Sequence, residues 1–244
     1  MGWGVRWLGV AMVTLTAMAA PQVLEKDVLK TTAGDLEITM IGHGTLMFRL
    51  GGKVIHVDPY GKLADYATLD KADLVLITHG HGDHLDPAAL AAIRSPKTQV
   101  VVAAICEGKV AGAETLRNGD TRSFQGFAIS AVPAYNIVQK RPDGTPFHPK
   151  GEGNGYVLAF GDSKIYVAGD TENIPEMKAL KGITAAFLPM NLPYTMTPEQ
   201  VAEAVRAFRP KILYPYHFGD TDPARLVALL KDEPGIEVRI RRMK

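Results

Sequence analysis

A single cysteine stands in 244 residues, so no disulfide can form within the chain. Stability has to come from core packing or from bound metal. Excess charge of one sign is also missing. Lys and Arg number 27 against 26 Asp and Glu, which leaves no electrostatic footprint for a nucleic acid or other polyanion. Low-complexity stretches are absent as well. The early apolar run, residues 7–18, is shorter than the ~20 residues a membrane-spanning helix needs. Its setting points to processing: Arg6 precedes the run and Ala17-Met18-Ala19 has the small-x-small form of a cleavage site. Residues 1–19 are therefore expected to be a signal peptide and residues 20–244 a single exported domain, periplasmic or secreted, with no stable membrane span after cleavage. Cleavage removes Arg6 and no acid, so 27 − 1 = 26 basic residues balance 26 acidic ones. Cys106, which follows the apolar run 100–105, is expected to be a buried, inert thiol.

The rest of the chain, 46% hydrophobic, alternates strand and helix signals. Residues 36–41, 45–50 and 53–57 read as strands, with Gly51-Gly52 turning the last two into a hairpin. DLVLIT (73–78) is a near-continuous apolar run of the kind found in a strand buried on both faces. Asp86-Pro87 then caps a helix. Further strands are expected at 99–103, 127–132, 156–160, 164–168, 184–188, 211–214 and 236–240. Helices are expected to start at Thr197-Pro198 and Asp222-Pro223. LMFRLGGKVIHVDPY (46–60) and YVLAFGDSKIYVAGDTE (156–172) share one plan of strand, glycine turn, lysine-led strand and aspartate. This suggests two similar β-rich halves that place Asp58 and Asp170 in a common crevice. The long loop 136–154, rich in Pro, Gly and Lys, is of a length that usually serves function.

THGHGDH (78–84) holds three of the seven histidines. In an extended segment residues i and i+2 point the same way, so His79 and His81 can chelate one ion. Gly80 and Gly82 are expected to let the backbone turn tightly, so that Asp83 and His84 address a second ion. The cluster lies between a buried strand and a capped helix, where ligands project into a crevice above the sheet edge.

T-H-x-H-x-D-H after a buried strand resembles the signature of the metallo-β-lactamase superfamily. IGHGT (41–45), VDP (57–59), AGDT (168–171), TMTPE (195–199) and YPYH (214–217) follow in that superfamily's order. The pattern is similar to the branch containing ascorbate-6-phosphate lactonase and N-acylphosphatidylethanolamine phospholipase D. The resemblance covers roughly residues 36–220 and implies an α/β fold, a four-layer αβ/βα sandwich with a mono- or binuclear metal site between the sheets. It implies His79 and His81 on one metal, Asp83, His84 and His217 on the other, and Asp170 bridging both. One position departs: the branch supplies a third histidine after a Pro-Ala-aromatic step, whereas this chain reads VPAYN (132–136). Either Asn136 contributes an oxygen, or His148 in TPFHPKG swings in from the long loop. Imidazole is the better zinc ligand, which favours His148. His43 and Asp58 are expected behind the ligands, with Asp58 orienting an imidazole. Asn136, Asn191 and Tyr194 are candidates for substrate contact, and Lys140, Arg141 and Lys150 for holding an anion. His56 reads as structural.

The implied activity is metal-dependent hydrolysis of a small molecule, with zinc the expected cofactor at two positions and iron or manganese as alternatives. The metal pair generates hydroxide near neutral pH, and Asp83 or Asp170 accepts the proton. The resemblance favours a lactone, another ester or a phosphodiester over a β-lactam. RNA processing is disfavoured by the charge balance. A redox di-iron role is disfavoured because proteins of that type usually carry glutamate where this chain has His81. The remaining alternative is a metal-binding protein of the same fold without catalysis.

Overall fold

The computed structural model describes Met1 and residues 23–244, so the expected signal peptide lies, Met1 apart, outside the described residues. The first sheet runs in strict chain order: β1 (Glu25–Thr31), β2 (Gly34–Gly42), β3 (Thr45–Leu50), β4 (Lys53–Val57), β5 (Leu74–Ile77), β6 (Gln99–Ala103) and β7 (Glu114–Leu116). The second does the same with β8 (Thr121–Phe124), β9 (Phe127–Ala134), β10 (Gly153–Phe160), β11 (Ser163–Val167), β12 (Ala185–Pro189), β13 (Ile212–Tyr216) and β14 (Glu237–Val238). Each sheet has three antiparallel pairings followed by three parallel ones. The two halves therefore share one topology. The hairpins compared in the sequence are β3–β4 and β10–β11, and Asp58 and Asp170 follow the corresponding strands β4 and β11.

Side-chain alternation explains the layering. In β5, Leu74 and Leu76 join the large core shared by both sheets, while Val75 and Ile77 face the layer under helix α1 (Pro87–Ile93). A strand sandwiched in this way has to be apolar on both faces, hence the unbroken run in the sequence. On the second sheet, helix α3 (Pro198–Phe208) buries Val201, Val205 and Phe208, and helix α4 (Pro223–Leu230) buries Leu226 and Leu230. Between β11 and β12 a short helix, α2 (Pro175–Lys178), buries Met177. The order is helix, sheet, sheet, helices, which is the expected four-layer α/β sandwich. The starts of α1, α3 and α4 are as the sequence predicts. Asp86, Thr197 and Asp222 cap them, each followed by proline, and Thr197 and Gln200 form a reciprocal capping box.

Three strands and one helix carry no clear sequence signal: β1, β7, β8 and α2. β1, EKDVLKT, holds only two apolar residues, and one of them, Val28, is exposed. What secures β1 is pairing along its whole length with β2 and a clamp at Asp27. The Asp27 carboxylate accepts from the Tyr214 hydroxyl at 2.5 Å and from Arg241 Nη2 at 2.8 Å and 2.9 Å, with Arg239 Nη1 at 3.3 Å. This ties the first strand to β13 and the chain's last residues. Burial works against the charge, but the Tyr214 and Arg241 hydrogen bonds hold the Asp27 carboxyl below its ordinary pKa. Asp27→Asn is expected to cost about 2–3 kcal/mol, the scale of hydrogen bonds to a charged group, read as a lower melting temperature. A depressed folded-state pKa stabilises above the ordinary carboxylate range and is lost as pH falls through the folded value. The gap between wild type and Asp27→Asn should therefore close in acid. A gap unchanged down to strongly acidic pH would rule the clamp out.

Candidate metal centre

The ends of corresponding strands in the two halves meet at one edge of the sandwich, and six of the seven histidines, all but His56, gather there. They form two groups with Asp83 and Asp170. His79, His81, His148 and Asp170 make one, and His43, Asp83, His84 and His217 the other, with ligand atoms inside each group lying within 4.8 Å of one another. His79, His81, Asp83 and His84 come from the turn after β5, His217 from the residue after β13, His43 from the turn after β2, and His148 from the long loop between β9 and β10.

The two glycines of HGHG act differently from the expectation. Neither adopts a left-handed backbone. Gly80 is tightly surrounded, since a Cβ there would lie 3.1 Å from Lys109 Nζ and 3.4 Å from Cys106 Sγ, while Gly82 faces open space. The glycine that backbone geometry demands is Gly169. It has φ +66°, and an added Cβ would sit 2.8 Å from the Asn154 carbonyl oxygen and 3.0 Å from Thr78 Cβ. Any side chain there would push Asp170 out of the crevice.

Hydrogen bonds fix the ring orientations. His84 Nδ1 lies 2.8 Å from Asp58 Oδ2, and a carboxylate can only accept, so Nδ1 carries the proton and Nε2 faces the crevice. Asp58 is held in turn by Thr78, whose N–H and hydroxyl donate at 2.8 Å and 2.6 Å. His148 is held the same way, with Nδ1 2.8 Å from Asn136 Oδ1. Asn136 thus has no free oxygen to offer a metal, and it lines neither cavity beside the two groups. Its Oδ1 also accepts from the His148 backbone N–H, and its Nδ2 donates to Glu172 and the Tyr194 carbonyl, so all its polar capacity is spent orienting the loop histidine. His43, expected behind the ligands, stands among them. Its Nε2 is 3.0 Å from Asp83 Oδ2, and its ring lies 3.6 Å from that of His217.

Asp170 sits between the groups. Its oxygens lie 3.4 Å from His148 Nε2 and 3.8 Å from His79 Nε2 on one side, and 3.5 Å from both His84 Nε2 and His217 Nε2 on the other. Four of these buried atoms, His84 Nε2, His148 Nε2, His217 Nε2 and Asp170 Oδ1, have no hydrogen-bond partner. Buried polar atoms left unpaired are costly, and a set that converges on one crevice is what a cation would satisfy. The donors, imidazole and carboxylate, fit a divalent transition metal. The charged groups of the crevice are coupled to one another. Burial opposes ionisation of Asp170, yet the His217 and His84 charges hold its carboxyl well below the ordinary value. Burial drives His79 well below its ordinary pKa, which leaves it a neutral donor. Burial also opposes charge on His84, but the Asp170 and Asp58 carboxylates push it up to about 9.

Several cavities open onto the groups. One cavity of about 350 Å³ is lined by His79, His81, His148 and Asp170 together with apolar loop residues, and a second, about 290 Å³, reaches both groups past Asn191 and Tyr194. Tyr194 packs edge-on against Phe147 at 5.0 Å, so the long loop and the turn after β12 meet above the site. Outside it, His56 is structural as expected: it reaches the Asp70 carbonyl at 3.1 Å, and burial lowers its pKa to about 4. Cys106 is buried, and burial raises its thiol to about 11. Sequence reasoning missed Glu172 entirely. This buried acid accepts from Asn136 Nδ2 and from the backbone N–H groups of Ile137, Val138 and Gln139 at 2.6–3.2 Å, and so pins the start of the loop that carries His148. Its only sequence cue is its place two residues after Asp170.

A four-layer sandwich with a histidine–aspartate centre at one edge defines a metal-dependent hydrolase of the metallo-β-lactamase fold. The chain belongs to the β-lactamase superfamily domain family, whose model matches residues 37–217. It is similar to a UPF0173 metal-dependent hydrolase of Pelotomaculum thermopropionicum, 31% identical over 84% of this chain and 96% of the relative. A protein of the same description from Thermus thermophilus is 34% identical over 78% of this chain and 87% of its own length. The crystal structure of a protein described as a candidate metal-dependent hydrolase from Parabacteroides distasonis superposes with a TM-score of 0.87. It is 49% identical, and the match covers 91% of this chain and all of that one.

Proposed function

We propose that the chain hydrolyses a small ester, lactone or phosphodiester with two zinc ions. His79, His81 and His148 would hold one, Asp83, His84 and His217 the other, and Asp170 would be shared. The observation that carries this reading is the position of Asp170, within 3.4–3.8 Å of imidazole nitrogens from both groups. When bound, such a pair supplies Lewis acidity and a water acidified toward pKa ~7.

The chain's own residues supply the rest. Asp83, on the wall of the second cavity, would accept the proton of the attacking water, and His43, whose Nε2–H donates to Asp83 Oδ2 at 3.0 Å, would hold that carboxylate in position. Tyr194, which lines the same cavity, would donate its hydroxyl to the oxygen that gains charge in the transition state. His43 and Asn191 complete the polar wall. The open crevice favours this reading over a structural metal site, because structural sites are closed and catalytic ones keep a position accessible.

Elemental analysis of the purified chain after dialysis against metal-free buffer is expected to find about two divalent ions per chain, one for each group. Chelation should abolish turnover on a panel of lactones, aryl esters and phosphodiesters, and readdition of zinc should restore it. A fully loaded protein that is inert on the whole panel would instead identify a metal binder without catalysis.

A further inference from the structure

We propose that the 350 Å³ cavity beside His79, His81 and His148 is a subsite for a compact anionic group, a carboxylate or a phosphate monoester, borne on an apolar substrate and held by Arg141 and Lys109. This deepens the hydrolase reading and rests on it for the meaning of the site.

The cavity walls combine apolar surface from Ile105, Phe147 and Pro149 with two cations, Lys109 and Arg141, and two acids, Glu152 and the Asp170 shared by the metal groups. Arg141 is exposed, and two contacts to Phe147 bias its orientation. Its Nη2 donates to the Phe147 carbonyl at 3.2 Å, and the guanidinium lies over the Phe147 ring at 5.1 Å. A guanidinium biased in this way loses less entropy on binding a planar or tetrahedral anion than a free one and keeps donors free for it. Arg141 and Phe147 line both cavities, so an anion held there lies next to the metal groups. Lys109 comes from the segment after β6. Its ammonium packs so close to Gly80 that a Cβ there would lie 3.1 Å away, which places the charge against the turn carrying His79 and His81.

The other loop cations singled out in the sequence are placed differently. Lys150 is drawn outward to Glu176 at 3.0 Å and the Tyr135 hydroxyl at 3.2 Å, and Lys140 lies at a bridge with Pro146 outside the cavity lining. Lys109 had no sequence cue, being 29 residues from Gly80 in the chain and brought to it only by the fold.

Calorimetric titration of the metal-loaded protein with phenyl phosphate, benzoate and neutral benzyl alcohol tests the subsite, with Lys109→Met, Arg141→Met, the double variant and Arg141→Lys compared at equal metal content. Methionine keeps the apolar stem of each side chain and removes its charge. The bound metals attract anions equally in all variants, so the difference between them isolates Arg141 and Lys109. The expected result is that both anions bind wild type more tightly than the alcohol, and that the double variant loses about tenfold or more of that affinity. Arg141→Lys should recover part of it. Whichever anion binds more tightly identifies the substrate's charged group. Should Arg141→Met unsettle the loop, Lys109→Met on the opposite wall carries the test alone, with a severalfold loss expected. Equal affinity in wild type and the double variant, or no preference for the anions over benzyl alcohol, overturns the proposal. Binding is read without turnover, so an inert protein that still prefers the anions would sink the hydrolase reading and leave the subsite standing.

Discussion

Asp170→Ala is expected to leave a folded protein that has lost both metal ions and all measurable hydrolysis. Among the described residues, Asp170 is the carboxylate that comes within 4 Å of imidazole nitrogens from both clusters, whereas Asp83 reaches histidines of the second group alone. Removing Asp170 leaves six imidazoles crowded around a crevice with one acid to offset two divalent charges. Loss of a group that only orients a ligand lowers metal affinity roughly 10–100-fold, and a shared ligand must cost more at each position. Metal content and the melting curve should be read together. Retention of two ions with near-normal turnover would show that Asp170 is not the bridge and would remove the main support for a binuclear centre.

The second large effect is expected from Glu172→Ala, a residue that touches no candidate ligand. Its carboxylate receives four hydrogen bonds, from the Asn136 amide and three consecutive backbone N–H groups, and Asn136 in turn orients His148. Alanine would strip these donors of their acceptor, leaving the buried Asn136 amide unpaired at about 1–3 kcal/mol and the exposed start of the loop, Ile137 and Val138, without its anchor. His148 would shift with the loop. The expected outcome is a selective fall of about 10–100-fold in metal affinity at the His79–His81–His148 group, with the ion at the Asp83–His84–His217 group retained. Asn136→Ala should reproduce the metal loss with less effect on the melting temperature, because it unpairs the His148 N–H but leaves the three backbone donors to Glu172 paired. Two ions held with wild-type affinity in both variants would show that His148 is positioned by other contacts.

Much of this centre was legible in the chain because its chemistry is local. The spacing of His79 and His81 follows from the two-residue period of extended backbone, and the run 73–78 and the Asp86-Pro87 cap bracket them with a buried strand and a helix. The hairpin likeness between 46–60 and 156–172 correctly pointed to matched halves, because strand, turn and acid each leave a short-range mark. The weak edge strand β1 left none, since its order depends on pairing with β2 and on Arg239 and Arg241 more than 200 residues away.

What the chain determined by itself was the fold class, the identities of the metal-seeking residues and most strand and helix positions, all written in periodicities and caps that act over a few residues. Only the tertiary structure decided among the residues whose roles depend on distant neighbours. It put Asn136 behind His148, brought His43 into the second group, pinned the long loop on Glu172, and set Lys109 against Gly80. Each of these is decided by which buried donor or acceptor must be paired once the two sheets close. That question of satisfaction has no local sequence code, because the partners are chosen by packing and not by spacing along the chain.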